Sequence, residues 1–427
     1  MGRVVVIGAG AMGLAAAYHA VRNGHKVTIL EAASEPGGMA AHFNLGGLSI
    51  ERFYHFVCKG DDGTLELLAD LGLASHLRWV ETSMGYFIDG TLYPWGDPFA
   101  LLACPKLSLI EKVRYGAMMF LSGRRKSWPA LENISAKEWI VSWCGLSVYR
   151  KLWAPLFELK FHDYADNISA AWIWTRIKRL SKSRRSLFQE ELGYIEGGSQ
   201  TVVDALVSAL RARGADIRLK APATRIVCAD GRVTGVIAGG ETFPAEAVIC
   251  TVPTPFVSAL VPDMRAQERA AYDGIANIGI VCLVFRLRRS ITKHFWINIS
   301  DSRFGIPGIM EFSNLRSVGG DTVIYLPYYM PPNHPKFTMS DDAFLAEGFG
   351  YLKLLNPELS ESDIIATHVG RLRHAQPVCP PGFAAKLPPI ETSISGLQIA
   401  DTCFYYPEDR GISESVRLGR LMADRVL

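Results

Sequence analysis

The sequence predicts an α/β protein: a parallel, Rossmann-type sheet domain with an α+β domain interleaved through it. Three observations predict this. A β-branched run, Arg3-Val4-Val5-Val6-Ile7, enters the turn Gly8-Ala9-Gly10-Ala11-Met12-Gly13, which opens a helical stretch. A second apolar run, His25-Lys26-Val27-Thr28-Ile29-Leu30, ends in Glu31, 18 residues beyond the last of those glycines. The 427 residues, 49% of them hydrophobic, correspond to about 2.8 domains at roughly 150 residues each.

The first run suits a strand buried on both faces. Gly8 allows the tight turn after it. Gly10 lets the backbone approach a pyrophosphate at the N-terminus of the next helix, whose first turn holds Met12, and Gly13 permits close helix–strand packing. That helix runs to Asn23 and stops at Gly24. Glu31, closing the second strand, is placed to accept hydrogen bonds from adenosine ribose hydroxyls. A G-x-G-x-x-G between strand and helix, followed by such an acid, marks a dinucleotide site. A glycine pair, Gly37-Gly38, comes next, followed by Met39. It resembles the second fingerprint of glutathione-reductase-like FAD enzymes, which NAD dehydrogenases lack, so the resemblance implies FAD. Met39 stands where those enzymes usually carry Arg. No His or Cys lies in a recognised covalent-attachment motif, so non-covalent FAD is expected.

Composition excludes several classes. The 39 Gly and 23 Pro are too few for a collagenous or low-complexity chain. With 45 Lys+Arg against 42 Asp+Glu, the net charge of +3 excludes a dedicated nucleic-acid binder. Eight scattered cysteines, without C-x-x-C or a Cys/His cluster, indicate no metal site and no disulfide framework, and reduced cytoplasmic thiols are expected. The uncharged stretch 4–18 is too short to span a bilayer, and Val6 spoils a myristoylation signal at Gly2. A cytoplasmic protein is expected, at most peripheral at the inner membrane face.

Further along, Gly197-Gly198-Ser199-Gln200, a helix to Arg213, and the strands at 217–219 and 224–227 resemble a segment that touches adenine. The run 245–253 resembles the strand returning to the dinucleotide domain. Near the end, a strand at 396–401 closes with Asp401, and a helix starts at Gly411-Ile412-Ser413. This pair resembles a C-terminal flavin motif, which puts Asp401 near the ribityl or phosphate region and the 411–413 amides at the flavin pyrimidine. With these signals in order, the chain resembles the flavin amine oxidase / protoporphyrinogen oxidase superfamily. Within it, the resemblance is strongest to bacterial FAD proteins that accompany polysaccharide genes, with UDP-galactopyranose mutase more distant. The resemblance implies an FAD-binding domain of 1–85, 190–270 and 390–427, and a substrate domain of 86–189 and 271–389. The first insertion reads as helical, with apolar periodicity at 107–121 and 134–144. The second begins with a strand at 278–287.

Catalytic candidates follow from position. In relatives, the segment Glu51-Arg52-Phe53-Tyr54-His55-Phe56 lies against the flavin ring, so Tyr54 and His55 are expected there. His55 is the expected acid/base, because imidazole titrates near working pH. Arg371, in a segment leading back to the flavin, is the candidate for holding an anionic substrate group. Tyr325, Tyr328, Tyr329 and Lys160 are further wall candidates. Amine oxidases of the superfamily carry a Lys on the strand matching 278–285, and this chain has none there, which points away from ordinary amine oxidation.

The expected reaction is hydride transfer between substrate and flavin N5. The expected substrate is a sugar-containing or isoprenoid-linked intermediate of envelope or polysaccharide synthesis. The alternatives are a non-redox flavin-dependent sugar mutase and a flavin-binding scaffold without turnover. The stretch 172–185 carries six basic residues and no acid, with Trp172, Ile173, Ile177 and Leu180 at helical spacing. It is expected to make an amphipathic helix for peripheral membrane contact.

Overall fold

The computed structural model describes residues 2–186 and 188–426. Its first layer is a five-stranded, all-parallel sheet ordered Asp216–Arg218, Lys26–Leu30, Arg3–Ile7, Ala247–Cys250 and Leu397–Ile399. Val4, Val5, Val6, Val248 and Ile249 are 0–2% exposed, as strands covered on both faces require. The helix Ala11–Arg22 covers one face, with Leu14, Ala15, Ala16 and Ala17 sealed against the helix Ile412–Asp424. An antiparallel meander, Ala223–Ala229, Arg232–Ala238 and Glu241–Pro244, packs on the other side.

The second layer is a seven-stranded sheet built around Asn277–Leu287. That strand pairs antiparallel with Thr322–Met330 on one side and Ile364–Pro377 on the other. Both of its faces are buried. Ile278, Ile280, Cys282 and Val284 enter the core shared with the helical insertion. Val281, Leu283, Phe285 and Leu287 enter a separate core under the helix Asp341–Leu355. This period of two decides what each neighbouring residue can reach.

The helical insertion is set by its caps. Asp97 accepts from the Phe99 and Ala100 amides, with Pro98 at the first position of Pro98–Ala103. Ser108 with Glu111, and Ser135 with Glu138, form capping boxes for Leu109–Arg124 and Ala136–Val148. Ser169 caps Ala170–Lys182. This last helix is amphipathic, as expected over 172–182, but its apolar face turns inward. Trp172, Ile173, Trp174 and Ile177 are buried in the protein core, and the chain from Arg184 to Ser186 is an edge strand. Two of its cations are already paired, Arg176 with Asp409 and Arg179 with Asp61, the latter at 2.6 Å. The helix therefore offers no free apolar face to a membrane. No helix among the described residues is long and apolar enough to cross one.

Candidate active site

One cavity of about 1930 Å³ runs between the two sheets and the helical insertion. It is roughly twice the upper size of an ordinary small-ligand site, and so has room for a dinucleotide together with a second molecule.

Its floor is the glycine-rich cradle. Gly8 takes φ +100°, and a Cβ there would meet Thr251 Oγ1 at 2.7 Å. A Cβ on Gly13 would lie 1.9 Å from the Gly8 carbonyl oxygen, so the helix touches the turn. Gly10 has nothing within 4 Å of its would-be Cβ, and it borders the cavity. Gly38 sits 3.2 Å from the Gly10 Cα by the same measure, and Gly37 N–H donates to the Ala9 carbonyl at 2.7 Å. The two glycine loops thus form a single surface. The helix behind it has no side-chain cap and no acid in its first turn, leaving amides and a positive dipole end facing the cavity beside Met12. Glu31 accepts from Ala9 N–H at 2.6 Å and Ala33 N–H at 2.8 Å, keeps acceptor capacity, and lines the same space. At the other end, Gly411 and Ile412 line the cavity at an uncapped helix start, with Ser413 just behind them, 3.1 Å from Gly63 N–H. Asp401 also lines the cavity, but its oxygens accept from Thr254 and Cys403 N–H at 2.7 and 2.8 Å, so it ties the strand end to the neighbouring loop. These residues fit FAD: an open anion cradle, a ribose acceptor, and a second amide cluster at the far end. Met39 stands where Arg is expected; Arg52 lines the cavity beside the same loop, its guanidinium 4.0 Å from the Glu35 carboxylate.

The reaction chamber lies above the cradle. Tyr54 packs edge-on against Trp296 and Tyr325, with ring centroids 5.6 and 5.7 Å apart. Burial raises its phenol pKa well above the usual value, so it is a neutral hydrogen-bond donor. His55 lines the cavity, and its Nδ1 has no partner among the described residues. Burial lowers its pKa, with Glu51 opposing, so the imidazole is neutral and able to accept a proton. Tyr329 lines the chamber, while Tyr325 donates to the Glu51 carbonyl at 2.7 Å and Tyr328 belongs to the opposite core. Beneath Tyr54, Glu51 pairs with Arg316 at 2.5 Å and lies 3.7 Å from His42, joining the two layers.

Arg371 borders the cavity, but its guanidinium is not placed to hold substrate. It pairs in register with Val281, whose side chain enters the outer core. The guanidinium accordingly binds Asp341 at 2.5 Å and the Met339 carbonyl, over the Phe344 ring of that same core. Three positions on in the same segment, His374 lines the cavity with Nδ1 unpartnered among the described residues and its ring edge-on to Phe256.

The chamber's charge comes from residues scattered along the sequence. Lys160 sits within 5.0 to 5.4 Å of the Tyr329, Trp172 and Phe161 ring centres. Burial, with Arg176 beside it, drives its pKa well below the usual lysine value. Burial opposes ionisation of Asp409, yet Arg176, Lys160 and Arg410 hold its carboxyl at about 2. Arg410 donates to the Ala375 carbonyl, fixing this cluster next to Gly411. The pair Asp409-Arg410 directly before the C-terminal helix was the available sequence signal. Arg176, read as a membrane cation, instead faces inward.

A model of the flavin containing amine oxidoreductase family matches residues 13–378. The phytoene desaturase (neurosporene-forming) of Rhodobacter capsulatus is 26% identical over 282 residues, which cover 58% of this chain and 52% of the desaturase. The chain thus spans about half the length of that relative. Among solved structures, a protoporphyrinogen oxidase candidate from Exiguobacterium sp. 255-15 has a TM-score of 0.78 at 20% identity, covering 99% of this chain and 98% of that one. Reduced UDP-galactopyranose mutase has a TM-score of 0.73 at 14% identity, covering 99% and 95%. At such identities these structures share the fold. The family match spans most of the chain and includes Gly13, Glu31 and the Gly37-Gly38 pair of the cradle: the chain belongs to the flavin containing amine oxidoreductase family, with FAD as its cofactor.

Proposed function

We propose that the protein is an FAD-dependent oxidoreductase acting on an isoprenoid-linked intermediate of envelope or polysaccharide synthesis. The observation that carries this reading is the continuity of the cavity. It passes from the glycine cradle, past Tyr54, His55 and Lys160, to walls of Trp95, Tyr115, Met119 and Phe120. An apolar chain fits such walls, and a polar head fits the Lys160–Arg176–Asp409–Arg410 end. The desaturase relative is named for phytoene, an apolar hydrocarbon, which agrees with an apolar chamber. The strand Asn277–Leu287 offers Ile280 to the cavity and no lysine, which agrees with a substrate other than an ordinary amine.

FAD, when bound, supplies the two-electron chemistry. The chain supplies the rest. Aromatic walls exclude water and strengthen every polar contact inside. His55, which lines the chamber, accepts the proton that a substrate loses on oxidation, and Tyr54 donates a hydrogen bond that orients the substrate. Burial makes Lys160 a weaker base than an ordinary lysine, and Asp409 beside it is already held by Arg176.

The sugar mutase remains the second reading. Two arginines, Arg176 and Arg410, beside Lys160 and around one carboxylate form an end that suits a diphosphate, and the mutase shares the fold. One experiment separates the two. Anaerobic addition of an isoprenoid-linked sugar should bleach the flavin absorbance, with turnover requiring an acceptor. A requirement for prior dithionite reduction, with no reductant consumed per turnover, would replace the oxidoreductase by the mutase. Bound flavin that responds in neither way leaves only a scaffold.

A further inference from the structure

The outer wall of the cavity mouth is apolar on its solvent side as well. On the helix Leu109–Arg124, Ile110 is 73% exposed, Val113 62%, Phe120 43% and Leu121 47%. These positions follow the helical period along one face, continuing the row to Arg124 at its end. On the adjacent helix, Phe99 and Leu102 are 68% and 56% exposed. Phe99 stacks on Phe188 at 5.0 Å between centroids, carrying the patch across the mouth. Contiguous apolar surface of this kind marks an interaction site. The same two helices also turn Leu101, Met119 and Phe120 into the cavity, so the patch forms its rim.

The border of the patch is basic. Arg124 lies over the Phe120 ring at 4.0 Å, and Arg125 and Lys126 follow it. Among the described residues no carboxylate pairs with any of these three. Lys182 also lines the cavity, next to Ser181, which packs against Gly123. An apolar centre with a cationic rim is complementary to a bilayer whose headgroups are anionic and whose interior is hydrocarbon. A second copy of the chain would offer another cationic rim in place of an anionic one.

We propose that this face docks on an anionic phospholipid bilayer, with Phe99, Ile110, Val113 and Leu121 seated below the headgroups and the cavity mouth opening onto the acyl layer. The docking face is thus the pair of helices 98–103 and 109–124. The inference goes beyond the chemistry proposed above, and vesicle binding is read without turnover, so its failure leaves that chemistry standing.

The test is flotation of the flavin-loaded protein with vesicles of two parts phosphatidylcholine to one part phosphatidylglycerol, and with phosphatidylcholine alone. Binding should require the anionic lipid at low salt and weaken as salt rises. Arg124→Ser/Arg125→Ser/Lys126→Ser should lower the partition about a hundredfold, at about fivefold per charge lost. Ile110→Ser/Val113→Ser/Leu121→Ser should abolish the part of the binding that survives high salt. Retained flavin absorbance shows that these surface variants are folded. Wild-type protein that stays unbound at low salt overturns the proposal, as does an apolar triple variant that binds like wild type. Lipid-free dimerisation that disappears in the same variant assigns the face to a second copy and overturns it too.

Discussion

Replacing Gly10 and Gly13 separately by alanine divides the fold from the cofactor site, because the two glycines do different work. At Gly13 the added Cβ would stand 1.9 Å from the Gly8 carbonyl oxygen and 3.0 Å from Thr251 Oγ1. A carbon–oxygen contact needs about 3.3 Å, so the helix Ala11–Arg22 must retreat roughly 1.4 Å from the turn. The nearer obstacle is backbone, and the turn is itself held by Gly8 N–H to the Leu30 carbonyl at 2.8 Å. Overpacking of this kind costs about 1–3 kcal/mol, and a clash with backbone belongs at the upper end. At Gly10 the backbone has φ −71° and ψ 177°, which alanine adopts without strain, and the space ahead is open. The entropy gained from alanine in the unfolded chain, about 0.4–1 kcal/mol, is offset by its poorer helix capping. Its methyl, however, projects where a pyrophosphate must approach. Gly13→Ala should therefore lower the denaturation midpoint of flavin-free protein. Gly10→Ala should leave that midpoint unchanged and weaken FAD binding at least tenfold, about 1.4 kcal/mol. Titration of apoprotein with FAD, followed by flavin fluorescence, reads the second effect. Undiminished stability in the first variant, or undiminished affinity in the second, refutes this account of the cradle.

Two further outcomes follow from buried charge. The pKa of His55 lies below its ordinary value, so flavin reduction by substrate should be flat above about pH 6.5 and fall as pH drops through the lowered pKa; His55→Ala should slow reduction about 10²-fold and erase that limb, and a limb that persists would return His55 to a structural role. Arg316→Met leaves Glu51, 2% exposed, without its cation and should cost about 3–5 kcal/mol in denaturant unfolding, much of it recovered by adding Glu51→Gln. Burial alone would raise the Glu51 pKa, but His42 and Arg316 lower it; its stabilising share is therefore present above the unfolded carboxyl value and lost as pH falls through the lower folded one.

The cofactor half of the site was legible because its requirements are local. Turn, amide cradle and ribose acceptor lie within the first 38 residues, where glycine spacing and strand–helix order can be read directly. The chamber was only partly legible, because its polar members come from four separate stretches, around 55, 160, 176 and 409. Face assignment misled most. Arg371 and His374 sit three positions apart on one strand. Only pairing with Asn277–Leu287, including its irregular register between Ile278 and Ile280, decides that Arg371 is drawn to Asp341 on the outer side. Likewise, six basic residues with apolar neighbours at helical spacing describe a membrane helix and a buried helix equally well. Burial of Trp172 and Trp174 and the acids Asp61 and Asp409, distant in sequence, decide between them.

The inward placement of Arg176 and the outward placement of Arg371 share a physical origin that also explains how the chamber is wired. A cation near the flavin must be desolvated, and a desolvated cation needs a partner that local sequence cannot supply. Arg176 therefore reaches the loop before the C-terminal helix, bridging the helical insertion to the cofactor's amide cluster. Glu51 and Arg316 make the equivalent bridge from the strand Leu48–Glu51 to the large sheet. Each ion pair crosses from a cofactor-binding segment to a substrate-side segment, so a displacement of either layer would leave a charge buried alone. The same pairs that keep the chamber polar at its inner end thus hold the cradle and the walls in register. No such bridge is needed at the mouth, where Ile110, Val113 and Phe99 face outward and the charges of Arg125 and Lys126 stay in water.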